Sequence, residues 1–575
     1  MPRGKVEDKE ILKLLDRIDG SDLELSDEEE DALFANVGEY KPLLISLEAQ
    51  VEKQFRRQNH LTERPKIKWR KKFTNYEMPS IEWYEQPVGN VNELKPPFWY
   101  FQKYIPRDFI ELAAEKTNVY AQQTFEANNV GQGENPFTPT TPDEIEVFFG
   151  IHLVMGSLNF PRADMYWNNS LKIDLIAHNM TLKRFYKLRV NFHMVDNQTD
   201  ENKNDRVWKV RPIYNAIRAR CLQLPLRSKL CVDEQMVPFR GQINIRQFMK
   251  NKPCKFGIKL FLLCGENGQM YDFLIYQGAE NTGISPEFAQ FGAGPSTVME
   301  LHRRIQEQNI QLYFDNYFTS YHLLQYLQNK GCYAAGTVRV DRFHQPRIQT
   351  DREMKKKGRG TMSESLSKDG QIVVTKWYDN KPVILASNFV GTQPQDQCRR
   401  WDKKQKTYIE VPRPQVVKLY NQFMGGVDVL DFLISLYRTY IRSRKWPLRM
   451  VAHALDLAVS NAWLEYKEHA KILNVPKREI KDLLEFRLDV AASLINAHKA
   501  APKKRGRPSK NAFPDPSPSK RPRVETRPIG EIRHDMMDHF PNFDEKVEAS
   551  RCKNGRCGKK THVFCIKCND CFFKN

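Results

Sequence analysis

The apolar pattern of this chain changes period near residue 228, and that change constrains the fold more than any other feature. Before it, apolar residues recur at helical spacing; after it come short β-rich runs bounded by turn signals. KLCVDEQMVPF reads as a strand. KFGIKLFLLC and MYDFLIYQG are two more β-rich runs, and the GENGQ between them carries an Asn-Gly step that predicts a hairpin. STVMELHRRIQEQN reads as a helix and IQLYFDN as an apolar strand. YHLLQYLQNKG is a helix stopped by glycine, and CYAAGTVRV is another strand. The predicted order is strand, two-stranded hairpin, helix, strand, helix, strand.

Four aspartates stand at telling places in this pattern. Asp233 lies on the first predicted strand and Asp315 at the end of a later one. Asp428 and Asp431 fall three residues apart in YNQFMGGVDVLDFL, which puts both on one face of a helix. Carboxylates brought together by folding repel one another, and a hard cation such as Mg²⁺ relieves that repulsion. Two divalent ions held by acidic side chains are the usual equipment for in-line phosphoryl transfer. Any one of these aspartates alone would read as a turn or a solvated face. Strand alternation sends Glu234 to the opposite face from Asp233, which makes it a weaker ligand candidate. Gly425 and Gly426 either let backbone approach the metal site or DNA closely, or simply loosen a helix start. The element order and the two acid positions match the layout of the ribonuclease-H-like fold, so the expected class is α/β with such a core.

The flanks read differently. Residues 1–75 are dense in charge and poor in aromatics and read as a mostly disordered acidic head; residues 1–40 alone hold 13 acidic against 5 basic side chains. Residues 95–227 read as helical, with TPDEIEVFFGIHLVMGSL opening on a Thr cap and acidic first-turn residues. The core spans 228–340 and resumes over 413–437. Between them, 341–412 reads as a β-rich insertion with a hairpin, QIVVTKWY and VILASNFV, around DNKP. Residues 438–500 are helical again. Residues 501–550 are rich in Pro, Lys and Arg and read as a linker.

A formal charge of +20 points to a polyanionic partner. Arg240, Lys252, Lys255 and Lys259 lie near Asp233 in sequence and are candidate contacts to a scissile strand. In RTYIRSRKWPLRM, Arg442, Arg444 and Lys445 are candidate phosphate contacts; Trp446 is either a wedge against an opened base or a core residue. PKKRGRPSK holds Arg505 and Arg507 in an RGRP segment suited to the narrow minor groove of A·T-rich DNA. With SKRPR it also reads as a bipartite import signal, which implies an import receptor and the nucleus. No apolar stretch approaches the ~20 residues of a membrane span, and no signal-peptide core opens the chain, so the expectation is a reducing compartment and no membrane.

Six of the eleven cysteines are scattered and read as buried apolar fillers; five crowd the last 24 residues. Of these, Cys552, Cys557, Cys565 and Cys568 supply two thiolate pairs for one tetrahedral Zn²⁺. Cys571, His562 and His539 remain for a second site.

Taken together, several blocks resemble the piggyBac transposases: YW at 166–167 after FPRADM, RFYKLRVNFHMVDN, DEQMVPFRG, NKPCKFGIKL, YFDNYFTS, AAGTVR, YNQFMGGVDVLD and the Cys-rich tail. The resemblance runs through about residues 95–500 and more loosely through the tail. It implies a ribonuclease-H-like core split by an insertion, and flanking helices that dimerise and bind DNA. It also implies two Mg²⁺ ions and cut-and-paste transfer of a double-stranded DNA element, through hairpin ends, into TTAA sites. Asp233, Asp315 and Asp428 match the family's catalytic acids, and Asp431 its fourth acidic position. The family tail is a cross-braced finger with two zincs that reads the element's terminal repeats; here the segment after Cys568 is shortened and has no closing His. The rival is a transposase-derived nuclear DNA-binding or chromatin protein that no longer transposes. A glycosidase using paired carboxylates fits neither the charge nor the basic tail.

Overall fold

The computed structural model describes residues 67–71, 76–85, 89, 91–128, 135–198, 205–249, 254–278, 283–403, 405–439, 441, 443, 445–497, 539–543, 545, 548–552 and 559–568. The expectations for residues 1–66, for most of the 501–550 linker and for its RGRP segment lie outside these. The chain divides into two compact units, Met1–Lys499 and Ala500–Asn575.

The first unit opens with helices α1 (Pro97–Phe101), α2 (Arg107–Asn128), α3 (Pro142–Leu158), α4 (Asp174–Ala177), α5 (Leu182–Asn191) and α6 (Arg211–Gln223). The signals for α3 act as expected. Thr141 accepts from the Glu144 amide at 3.2 Å, Pro142 fills the first turn, and Asn159 ends the helix in the left-handed region. Next come strands β1 (Lys229–Pro238), β2 (Arg246–Phe248), β3 (Phe256–Gly265) and β4 (Met270–Ile275). After them follow α7 (Ala293–His302), β5 (Ile310–Phe314), α8 (Tyr321–Asn329) and β6 (Cys332–Thr337).

β1 pairs antiparallel with β3, and β3 with β4, while β5 runs parallel to β1 and β6 parallel to β5. The sheet divides two apolar cores. Cys231, Leu260, Leu262 and Tyr313 face one; Val232, Phe261, Leu263 and Phe314 face the other, beneath α7 and α8. This alternation within each strand is what a strand buried on both faces requires.

The stretch expected as an insertion opens on a 3₁₀ turn (Val340–Phe343), followed by α9 (Asp351–Lys357), β7 (Met362–Leu366), β8 (Val373–Tyr378) and β9 (Pro382–Ser387). The hairpin around DNKP forms as β8–β9, but it does not stand apart. β9 pairs antiparallel with β6, so β7–β9 extend the central sheet, whose order is β2-β3-β1-β5-β6-β9-β8-β7. Within the stretch, β10 (Asp396–Asp402) and β11 (Thr407–Arg413) form a ribbon of their own.

Helices α10 (Gln415–Phe423), α11 (Gly426–Leu436), α12 (Trp446–Ile472) and α13 (Leu483–Asn496) close the unit. The late helices pack on the early ones through buried charges. Arg487 and Asp456 pair at 2.9 Å with almost no exposure, and Arg487 also donates to the Leu153 carbonyl of α3. Glu465 of α12 takes Lys103 and Arg220 at 2.8 and 2.5 Å. Breaking one partner of such a pair strands a buried charge at a cost of about 3–5 kcal/mol, which ties the two helical stretches to one arrangement. Of the six scattered cysteines five are buried, and Cys254 is half-buried.

The second unit holds two short antiparallel pairs: β12 (Pro541–Phe543) with β15 (Val563–Cys565), and β13 (Ser550–Arg551) with β14 (Lys560–Thr561). Among the described residues no helix is long and apolar enough to cross a membrane.

Candidate functional site

The β1–β5 register sets the site. Lys229 to Val232 lie beside Gln311 to Phe314 in parallel pairing, and one step further stand Asp233 and Asp315. Neighbouring residues on adjacent strands share a face about 4.8 Å apart, so the pairing itself delivers both carboxylates to one spot. β5 ends at Phe314, and Asp315 opens a turn: its carboxylate accepts from the Tyr317 amide at 2.8 Å, and its carbonyl from the Thr319 hydroxyl at 2.7 Å.

Asp233, Glu234 and Asp315 each offer an oxygen within 4.8 Å of the others, with Asp233 and Glu234 buried. This corrects the expectation for Glu234. Alternation fixes the direction of its Cβ, but β5 has ended beside it, and the longer side chain reaches the same cluster. Oxygen-only donors at this spacing suit a hard divalent cation.

α11 brings the second pair of acids. Its first residue, Gly426, sits against the Gly265 carbonyl and the Cys231 thiol, where a side chain would collide; nothing lies within 4 Å of a side chain at Gly425. The close approach that Gly426 permits is therefore to the sheet. Asp428 is exposed in the first turn of α11 and stands outside the cluster of three. It is nonetheless near. Burial first, and then the Asp233 and Asp428 charges against the opposing Gly426 and Val427 amides, push the Cys231 thiol up to about 12.

Asp431, one turn on, accepts from Gln235 Nε2 at 2.6 Å. A carboxylate only accepts, so Gln235 turns its Oε1 the other way, where His453 Nε2 lies at 2.9 Å. His453 must then donate from Nε2 and accept at Nδ1, and the Tyr214 hydroxyl is 2.9 Å from Nδ1. Burial above all, with Arg438 adding, lowers His453 to about 3, consistent with the neutral ring this chain of bonds needs. Gln235, His453 and Tyr214 went unnoticed in the sequence, since no local pattern joins positions this far apart.

The basic candidates are dispersed. Arg240 and Lys255 are exposed. Lys259 is half-buried, its ammonium 4.9–5.1 Å from the rings of Phe261, Tyr276 and Tyr317. Lys445 is exposed at the start of α12 and donates to the Val190 carbonyl at 3.0 Å; Trp446 is half-buried against the apolar core. Lys252, Arg442, Arg444, Arg505 and Arg507 lie outside the described residues. Arg438, absent from the candidates, acts electrostatically on both His453 and Cys254.

In the second unit His539, Cys565 and Cys568 converge: His539 Nδ1 is 3.4 Å from the Cys565 sulfur and 3.3 Å from that of Cys568. Burial alone would raise the Cys565 thiol, but the Cys568 amide and His539 bring it below its ordinary value, toward the thiolate a soft metal takes. His539, expected at a second site, thus joins the Cys565–Cys568 pair. Cys552 stands outside this cluster of three, His562 keeps a buried Nδ1 without a hydrogen-bond partner, and Cys557 and Cys571 lie outside the described residues.

Comparison with known proteins fits this arrangement. The family model described as Transposase IS4 matches residues 96–463. Human PiggyBac transposable element-derived protein 3 is 31% identical over 484 residues, spanning 83% of this chain and 74% of that protein. The chain belongs to the piggyBac transposase family. Human PiggyBac transposable element-derived protein 2 is 28% identical over 79% of this chain and 72% of its own length. A cryo-EM structure of a piggyBac transposase synaptic complex with hairpin DNA superposes with a TM-score of 0.58. It is 24% identical and covers 71% of this chain and 81% of that one, so the mixed α/β fold is shared with that transposase.

Proposed function

We propose that this piggyBac-family chain is a divalent-metal-dependent DNA transposase, which cleaves and rejoins DNA strands at an acidic centre on β1, β5 and α11. The reading is carried by one observation, the meeting of Asp233, Glu234 and Asp315 within 4.8 Å of one another. A ribonuclease-H-like core is supported by the β1–β3–β4 antiparallel meander followed by parallel β5 and β6. Asp233, Asp315 and Asp428 are the proposed catalytic ligands for Mg²⁺, with Glu234 beside them. Such ions, when bound, would activate a water or a 3′-hydroxyl and stabilise the departing oxygen. The protein's own part is to hold the carboxylates together where β1 and β5 end, with Asp431 fixed by Gln235 so that the turn of α11 carrying Asp428 stays against β1. The basic surface, Arg240, Lys255 and Lys445 included, would neutralise the phosphates of double-stranded element ends and of a TTAA target. His539, Cys565 and Cys568 would hold Zn²⁺ in the tail. Import to the nucleus through residues 502–523, and action as a homodimer on paired ends, complete the proposal.

The rival is a transposase-derived DNA-binding protein without strand transfer. The exposed Asp428, outside the cluster of three, favours it. Incubating purified full-length protein with repeat-ended DNA in Mg²⁺ separates the two. Nicks and hairpin ends support the transposase; binding with no cleavage supports the rival.

A further inference from the structure

The β10–β11 ribbon carries an exposed aromatic pair that the acidic centre does not use. Trp401 and Tyr408 are direct cross-strand partners, 49% and 55% exposed, with ring centroids 5.1 Å apart at 71°. The opposite face of the ribbon is the anchored one: Cys398 and Val411 are buried, and Arg400 pairs with Asp379 at 2.9 Å. Alternation then sends Arg399, Trp401 and Tyr408 outward together, with the Arg399 guanidinium 4.1 Å over the Tyr408 ring. Lys403 and Lys406 are exposed at the tip.

Rings flanked by lysines fit one kind of partner better than another. Lysine is depleted at protein–protein interfaces, whereas it neutralises phosphates readily. Aromatic faces stack on bases, and a base offers its face only when unpaired. We propose that the β10–β11 ribbon is a second DNA-contacting element, stacking Trp401 and Tyr408 on unpaired bases while Lys403 and Lys406 hold the adjoining phosphates. The inference rests on the DNA-directed function proposed above and adds a site outside the cluster of acids.

The test measures binding of the full chain, without divalent metal, to two DNAs sharing one duplex, one blunt and one with a short single-stranded overhang. Trp401→Ala with Tyr408→Ala is expected to weaken overhang binding about tenfold and to leave blunt-duplex binding unchanged. Lys403→Ala with Lys406→Ala is expected to flatten the salt dependence, by about 0.7–0.9 in log–log slope for each phosphate left without its lysine. All four side chains are exposed, so unchanged melting temperatures verify folding; Trp401→Phe should restore part of the overhang preference. Wild-type affinity and salt slope in both double variants would overturn the proposal. An equal loss on blunt and overhang DNA would remove the stacking role. Lost self-association with intact DNA binding would reassign the ribbon to a protein partner. Because binding is read without cleavage, an inactive acidic centre leaves this result standing, and a failed ribbon leaves the acidic centre standing.

Discussion

Gln235 is 1% exposed and spends both ends of its amide, one on Asp431 and the other on His453. Gln235→Leu keeps the volume but takes the acceptor from the buried His453 Nε2 and one donor from the half-buried Asp431. It should destabilise the first unit by about 1–3 kcal/mol, the cost of the one buried group left without its partner, as read by urea unfolding. Tyr214→Phe removes the hydroxyl that meets both His453 Nδ1 and the Met450 carbonyl, and should cost about 0.5–1.5 kcal/mol. Equal effects from the two would mean that the chain of bonds does not bear on Asp431. Asp233 and Asp315 could be anticipated to meet, because each sits where a predicted strand delivers it. Glu234 could not, since strand alternation says nothing about how far a glutamate reaches where its neighbouring strand has stopped. His539 stands 26 residues before Cys565, and its part in the tail depends on folding that brings β12 against β15. Replacing it with alanine should reduce the zinc carried by purified protein, as read by metal analysis; unchanged zinc would exclude it from the site.

α11 docks closely enough on the sheet that its first residue has no room for a side chain. A methyl at Gly426 would meet the Gly265 carbonyl and the Cys231 sulfur, so the helix would have to lift from β1 and β3. Gly426→Ala should therefore cost about 1–3 kcal/mol and displace Asp428, with loss of any cleavage. Gly425→Ala meets nothing within 4 Å at a φ of −75° and should behave as wild type. If both variants melt and act alike, the docking account is wrong. The elements themselves were largely legible, because periods of 3.6 and 2 and the caps around them are local. α3, the β3–β4 hairpin and the β8–β9 hairpin all stand where their patterns put them. That β9 would add to β6 was not legible, since strand order depends on pairings between segments about fifty residues apart.

At the scale of the molecule, three buried histidines couple folding to pH. Burial lowers His152 and His302 to about 4 and His453 to about 3, each from an ordinary value of 6.5. Each is neutral when folded and protonates more readily when unfolded, so its contribution is fully present above pH 6.5. It is lost as pH falls from 6.5 toward 4, by up to about 1.4 kcal/mol per pH unit and histidine. Urea midpoints should drop steeply across that window, and His302→Gln should flatten the drop; a midpoint independent of pH there would contradict the burial. The proposed function joins the acidic centre and the basic surface in one claim, that the protein cuts DNA at Asp233 and Asp315. The most direct measurement is cleavage of repeat-ended DNA in Mg²⁺ by the wild-type chain and by Asp233→Asn and Asp315→Asn, with DNA binding measured in parallel. The account predicts nicking by the wild type, its abolition in both variants, and binding retained in all three; nicking at the wild-type rate by either variant would contradict it.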